Sequence, residues 1–135
     1  MSAAETFFDT NVLLYLLSAD AAKADRAEAL LADRATISVQ VLNEFAAVTT
    51  RKLGMPLKEV RDILGTIRRV CRVEPLTVET HDRALDLVRR YGYSIYDSLL
   101  VASALIAGCA RLYSEDFQHG QLIDRRLRIV NPFRL

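Results

Sequence analysis

Thr6-Phe7-Phe8-Asp9-Thr10-Asn11-Val12-Leu13 is the stretch on which the fold turns. Thr6 to Phe8 is β-prone and shows no polar alternation, so it reads as a short strand buried on both faces. Asp9-Thr10-Asn11 ends it, and the apolar residues beyond resume at helical spacing, predicting a helix over 12–17. A buried strand that passes directly into a helix is the opening of a βα unit, which belongs to a parallel sheet.

The same alternation continues outward. Residues 20–33 are rich in Ala, Leu and charge, with Ala24, Ala27, Leu30 and Leu31 on one helical face. A second strand is predicted over 35–39, with Ser38 as the cap of the following helix. Gly54-Met55-Pro56 ends that helix and starts the next, which runs over 57–70 with Val60, Leu64 and Ile67 on one face. A third strand is predicted over 73–76. A helix over 78–91 places Leu85 and Val88 inward and stops at Gly92. A buried helix follows over 94–107, then strands over 111–113 and 127–130, closed by Asn131-Pro132. No repeat, linker or low-complexity stretch interrupts the pattern. The expected architecture is a single α/β domain over 1–135: a three-layer α/β/α sandwich around a five-stranded parallel sheet.

Composition agrees with one core. The chain has 135 residues, 51% of them apolar, and 18 Lys and Arg balance 17 Asp and Glu. That balance excludes a strongly basic nucleic-acid coat, yet permits basic groups around a groove with acids inside it. Arg dominates the positive charge, as in Arg68-Arg69, Arg89-Arg90 and Arg125-Arg126-Leu127-Arg128. These forks suit phosphate oxygens and equally suit solvated helix faces. Cys71 and Cys109 lie far apart in apolar or helical stretches, and read as two buried free thiols in a reducing cytoplasm. The longest apolar run, 99–110, is too short to span a bilayer. Met1-Ser2-Ala3-Ala4-Glu5 has no basic n-region, so no signal peptide is expected.

Four acids stand out, each with a plainer reading beside the functional one. Asp9 follows a strand and precedes a helix, where it serves equally as an N-cap. Glu44 falls three residues after Val41 and four before Val48, at the border of an apolar face whose polar side carries Gln40, Asn43 and Arg51. A carboxylate pressed toward a core is costly unless paired, protonated or bound to metal. Ser94 to Asp97 has capping-box spacing, with Asp in place of the usual Glu. Asp116 follows the fourth strand and on its own reads as a loop acid. Together they differ. In open parallel sheets, ligands gather outside the carboxyl ends of the strands, and there these acids can converge. Four unpaired carboxylates in one pocket repel one another. A divalent cation relieves that, and oxygen ligands favour Mg²⁺ or Mn²⁺ over zinc. Such a site can activate water at a phosphodiester. No Cys nucleophile, Ser-His pair or Gly-rich phosphate loop competes. His81 and His119 are isolated, and His119 reads as a loop residue.

Four segments, Phe8-Asp9-Thr10-Asn11-Val12-Leu13, Val41-Leu42-Asn43-Glu44-Phe45, Ile95-Tyr96-Asp97-Ser98-Leu99-Leu100 and Leu112-Tyr113-Ser114-Glu115-Asp116-Phe117, carry a resemblance. Their order and spacing resemble the PIN domain, and within it the VapC-type toxins of type II toxin–antitoxin pairs. The likeness extends from Phe7 to Val130-Asn131-Pro132-Phe133. No single segment is specific, but the four together are. The resemblance implies a Rossmann-like fold and a metal-dependent endoribonuclease that cuts single-stranded RNA with metal-activated water. It also implies a homodimer and a small antitoxin whose peptide plugs the groove. Carried over by position, Asp9, Glu44, Asp97 and Asp116 match the acidic metal site. Asn11 matches a position that orients Asp9, Ser114 one that binds a metal water or a phosphate, and Glu115 an additional acid.

Other readings stay open on sequence alone: an RNA-processing nuclease that is not a toxin, or an RNA-binding or interaction domain without catalysis. A phosphatase of the haloacid dehalogenase type also ends its first strand in Asp, but it needs a second Asp where this chain has Asn11, and a later Lys that has no evident counterpart.

Overall fold

The computed structural model describes residues 5–134. Residues 1–4, on which most of the reading of a missing signal peptide rests, lie outside them. Thirteen elements follow in chain order: β1 (Thr6–Phe8), α1 (Thr10–Leu14), a 3₁₀ turn (Tyr15–Leu17), α2 (Ala21–Leu31), β2 (Ala35–Ser38), α3 (Val39–Arg51), α4 (Leu57–Val70), β3 (Arg72–Glu74), α5 (Val78–Tyr91), α6 (Ile95–Ile106), β4 (Arg111–Tyr113), β5 (Leu122–Ile123) and β6 (Leu127–Val130).

The sheet runs β3-β2-β1-β4-β6-β5. Five strands are parallel, as expected, with Phe7 opposite Thr36 on one side and Leu112 on the other. The sheet has six strands rather than five, because β5 adds an antiparallel edge to β6. β5 is only two residues long, and the turn that folds it back places Asp124 and Arg125 at φ of 51° and 58°. Two successive left-handed residues make the tight hairpin turn that Asn-Gly usually signals, and Asp-Arg carries no such mark. Arg90 holds the turn instead, with its guanidinium on both Asp124 carboxylate oxygens at 2.7 and 3.1 Å.

Phe7 and Phe8 are fully buried, each contributing about 2–3 kcal/mol of apolar burial. Chain order runs outward from β1 through β2 to β3, then returns to β4 on the other side. Right-handed crossovers then place α1 to α4 on one face and α5 and α6 on the other. α6 is buried almost all round from Leu100 to Leu105. On α5 the inward face is Thr80, Ala84 and Leu87. The expected Leu85 is half exposed, because the contact face is set by packing on α6 and passes one residue earlier. Pro75 has no N–H for the sheet, and β3 ends before it at Glu74. No helix among the described residues is long and apolar enough to cross a membrane.

Candidate active site

The reversal of strand order falls between β1 and β4, and the C-terminal edge there is where open sheets bind ligands. Asp9 leaves β1 at that edge, and Ser114, Glu115 and Asp116 leave β4 beside it. Asp9 is an N-cap and more. Its Oδ1 accepts from the Thr10 N–H at 2.7 Å, while its Oδ2 accepts from Ser114 Oγ at 2.7 Å and from Asn11 Nδ2 at 3.4 Å. Asn11 thus reaches Asp9 with its amide nitrogen, and its Oδ1 also accepts from the Glu115 N–H at 3.4 Å.

Ser114 is fully buried. Its hydroxyl donates to Asp9 and accepts from the Asp116 N–H at 3.0 Å. Both uses stay within the protein, so this residue fixes Asp9 and the Asp116 turn rather than facing a phosphate. Glu115 is exposed and accepts from Tyr15 Oη at 3.1 Å. His119 Nδ1 accepts from the Asn131 N–H at 3.0 Å, a loop contact as expected.

Glu44 reaches the same edge from α3. Its Oε2 accepts from Thr10 Oγ1 and its Oε1 from Gln40 Nε2, both at 2.8 Å. Thr10 thus touches Asp9 through its backbone and Glu44 through its side chain. Gln40 corrects the expected polar face of α3: it is 8% exposed, turned inward by Glu44 and by the Tyr96 carbonyl at 3.2 Å. Neither Thr10 nor Gln40 was singled out from sequence. The Gln40–Glu44 spacing of four residues was the available signal.

Asp97 lies in the first turn of α6, where Ser94 Oγ accepts from its N–H at 3.1 Å. The capping reading accounts for its backbone, but among the described residues no Ser94 N–H reaches its carboxylate to complete the box. Burial first, then the charges of Asp116 and Glu44, raise its carboxyl above the ordinary 3.8, and Ser94 opposes the rise. Asp9 is pushed up to about 6, mainly by burial, with Asp116 and Glu44 adding to the rise and Ser114 and Thr10 opposing it. Asp116 and Glu44 thus act on both Asp9 and Asp97 across this edge. No ion pair among the described residues includes any of them. Nor do three of them, among the described residues, stand close enough to form a ready-made metal cluster. The donor set still fits a hard divalent cation: it is all oxygen, negatively charged, and lacks a basic partner.

Cys71 and Cys109 are both free and buried, and burial pushes each thiol up to about 11.

Similar folds are found in solved structures. VapC20 of Mycobacterium tuberculosis, described as a sarcin–ricin loop cleaving toxin, is 26% identical over 83% of this chain and 90% of that one, with a TM-score of 0.67. A toxin–antitoxin complex from Klebsiella pneumoniae matches 97% of this chain and all of that one at 18% identity and a TM-score of 0.73. FitAcB from Neisseria gonorrhoeae matches 96% and 99% at 14% identity and a TM-score of 0.68. At the lower identities the likeness is one of fold. Among curated protein sequences none matches. The PIN domain profile matches residues 6–122, from β1 to the first residue of β5, and the chain belongs to the PIN domain family.

Proposed function

We propose that this protein is a divalent-cation-dependent endoribonuclease, using Mg²⁺ with Mn²⁺ as a substitute, that hydrolyses single-stranded RNA. Asp9, Glu44, Asp97 and Asp116 are its cation-binding and catalytic acids, with Asn11 and Ser114 supporting them and Glu115 beside them. The observation that carries this reading is a buried carboxylate, Asp9, pushed up to about 6 and crowded by further acids without a basic partner. A structural site would pair or delete such a group; a cation site keeps it.

The chain's own residues do the positioning. Thr10 and Ser114 fix the two oxygens of Asp9. Thr10 and Gln40 fix those of Glu44. Ser94 caps the helix that presents Asp97, and Ser114 anchors the turn carrying Asp116. A divalent cation bound there supplies Lewis-acid polarisation of the phosphodiester and activation of the attacking water.

The likeness to the VapC20 toxin and to the toxin–antitoxin complex from Klebsiella pneumoniae supports a role as the toxin of such a pair, with a small antitoxin as partner. Apolar side chains left open on α4 and α5, among them Leu57, Val70, Val78 and Leu85, are in keeping with a homodimer. The test is cleavage of labelled single-stranded RNA by purified protein. Excess EDTA stops it, Mg²⁺ or Mn²⁺ restores it, and Asp97→Asn abolishes it while keeping the circular dichroism of the wild type. Undiminished cleavage in EDTA refutes the metal chemistry, and full activity in the variant removes Asp97 from the site.

A further inference from the structure

Gln40 is buried, yet its Oε1 has no hydrogen-bond partner. A flipped amide does not cure this. Both neighbours of its Nε2, Glu44 Oε1 at 2.8 Å and the Tyr96 carbonyl at 3.2 Å, are acceptors, so the NH₂ must face them. The side chain is therefore oriented by its donor end, and its carbonyl bears an unrecovered desolvation cost. The surroundings offer that carbonyl little. The adjoining cavity of about 260 Å³ is lined by Leu76 and Leu99 as well as by Gln40, Asn43, Glu44 and Tyr96.

The donor end explains the choice. One N–H holds Glu44 on α3; the other holds the carbonyl of Tyr96, the residue before Asp97 on α6. α3 and α6 come from opposite faces of the sheet, and Gln40 ties together the two helices that carry these acids. We propose that Gln40 is a positioning residue, which sets Glu44 relative to Asp97 for cation binding. This rests on the metal site proposed above.

A positioning role and a purely structural role differ in the Mn²⁺ response of Gln40→Leu, not in its metal-free stability, because Leu removes the unpartnered carbonyl but also strands the Glu44 and Tyr96 acceptors. Positioning predicts weaker cation binding, since losing a partner that orients a ligand costs roughly ten- to a hundredfold in metal affinity. A tenfold loss is about 1.4 kcal/mol, so the rise in melting temperature with saturating Mn²⁺ shrinks by about 5 °C. The Mn²⁺ needed for half-maximal RNA cleavage rises by the same factor. Gln40→Met, unbranched and of similar length, carries the same test should the Leu variant fold poorly. An Mn²⁺ response equal to that of the wild type overturns the assignment, whether or not the variant is less stable in EDTA. A wild type without any Mn²⁺ response overturns the metal site itself and this role with it.

Discussion

Replacing Asp9 by Asn removes a buried charge while keeping the size of the side chain. In the folded, metal-free protein Asp9 is held at about 6 against an ordinary 3.8, chiefly because burial disfavours its charged form. At about 1.4 kcal/mol per pH unit, ionised Asp9 costs about 3 kcal/mol of stability at neutral pH. The sign follows from the direction. Below 3.8 the group is protonated in both states and costs nothing. As pH rises toward about 6 the unfolded chain gives up its proton first, and stability falls; above about 6 the full cost is present. Asn escapes that cost but turns one oxygen into an NH₂. Facing Ser114 Oγ and Asn11 Nδ2, it loses about 1–2 kcal/mol of hydrogen bonding. The net expectation is a gain of about 1–2 kcal/mol at pH 7.5, or about 5 °C. Near pH 4 it becomes a small loss. Thermal melts followed by circular dichroism in EDTA, from pH 4 to 8, read this directly. A variant less stable by the same amount at both ends of the range would refute the burial argument.

Two further outcomes follow from the same geometry. Cation binding must displace the proton of Asp9, so calorimetric affinity for Mn²⁺ falls as pH drops below about 6, with proton release measurable from the buffer dependence of the heat; a pH-independent affinity between 5 and 7 would remove Asp9 from the site. Ser114→Ala deletes a buried hydroxyl that donates to Asp9 and accepts from Asp116. A hydrogen bond to a charged group contributes about 1.5–3 kcal/mol, so this variant unfolds about 2 kcal/mol more easily at pH 7.5. Its deficit narrows near pH 4, where Asp9 carries its proton, and a deficit independent of pH would mean that the hydroxyl does not act through the carboxylate.

Some of this was legible because it is local. Phe7 and Phe8 announce a buried strand, Gly92 at φ 73° stops α5 where a left-handed residue is needed, and Ser38 and Ser94 cap helices whose apolar faces follow them. The order of strands and helices fixes a parallel sheet, and with it the edge where Asp9 and Asp116 emerge. Other features were not legible, because their causes lie far along the chain. β5 exists because its backbone finds β6 and because Arg90, 34 residues away, grips Asp124. Leu85 is exposed because Thr80, Ala84 and Leu87 form the buried face of α5 instead.

Sequence by itself determined the order of the helices and of the five parallel strands, and it singled out the four acids proposed as the site, since these depend on periodicity, turn chemistry and strand-end position. Tertiary structure alone decided what holds the acids in place. Ser114 looked open to ligand and is sealed beneath Asp9; Gln40 looked solvated and spans two helices. A polar residue's role depends on which donors and acceptors meet it, and residues 105 positions apart, such as Asp9 and Ser114, meet only when the sheet brings β1 against β4.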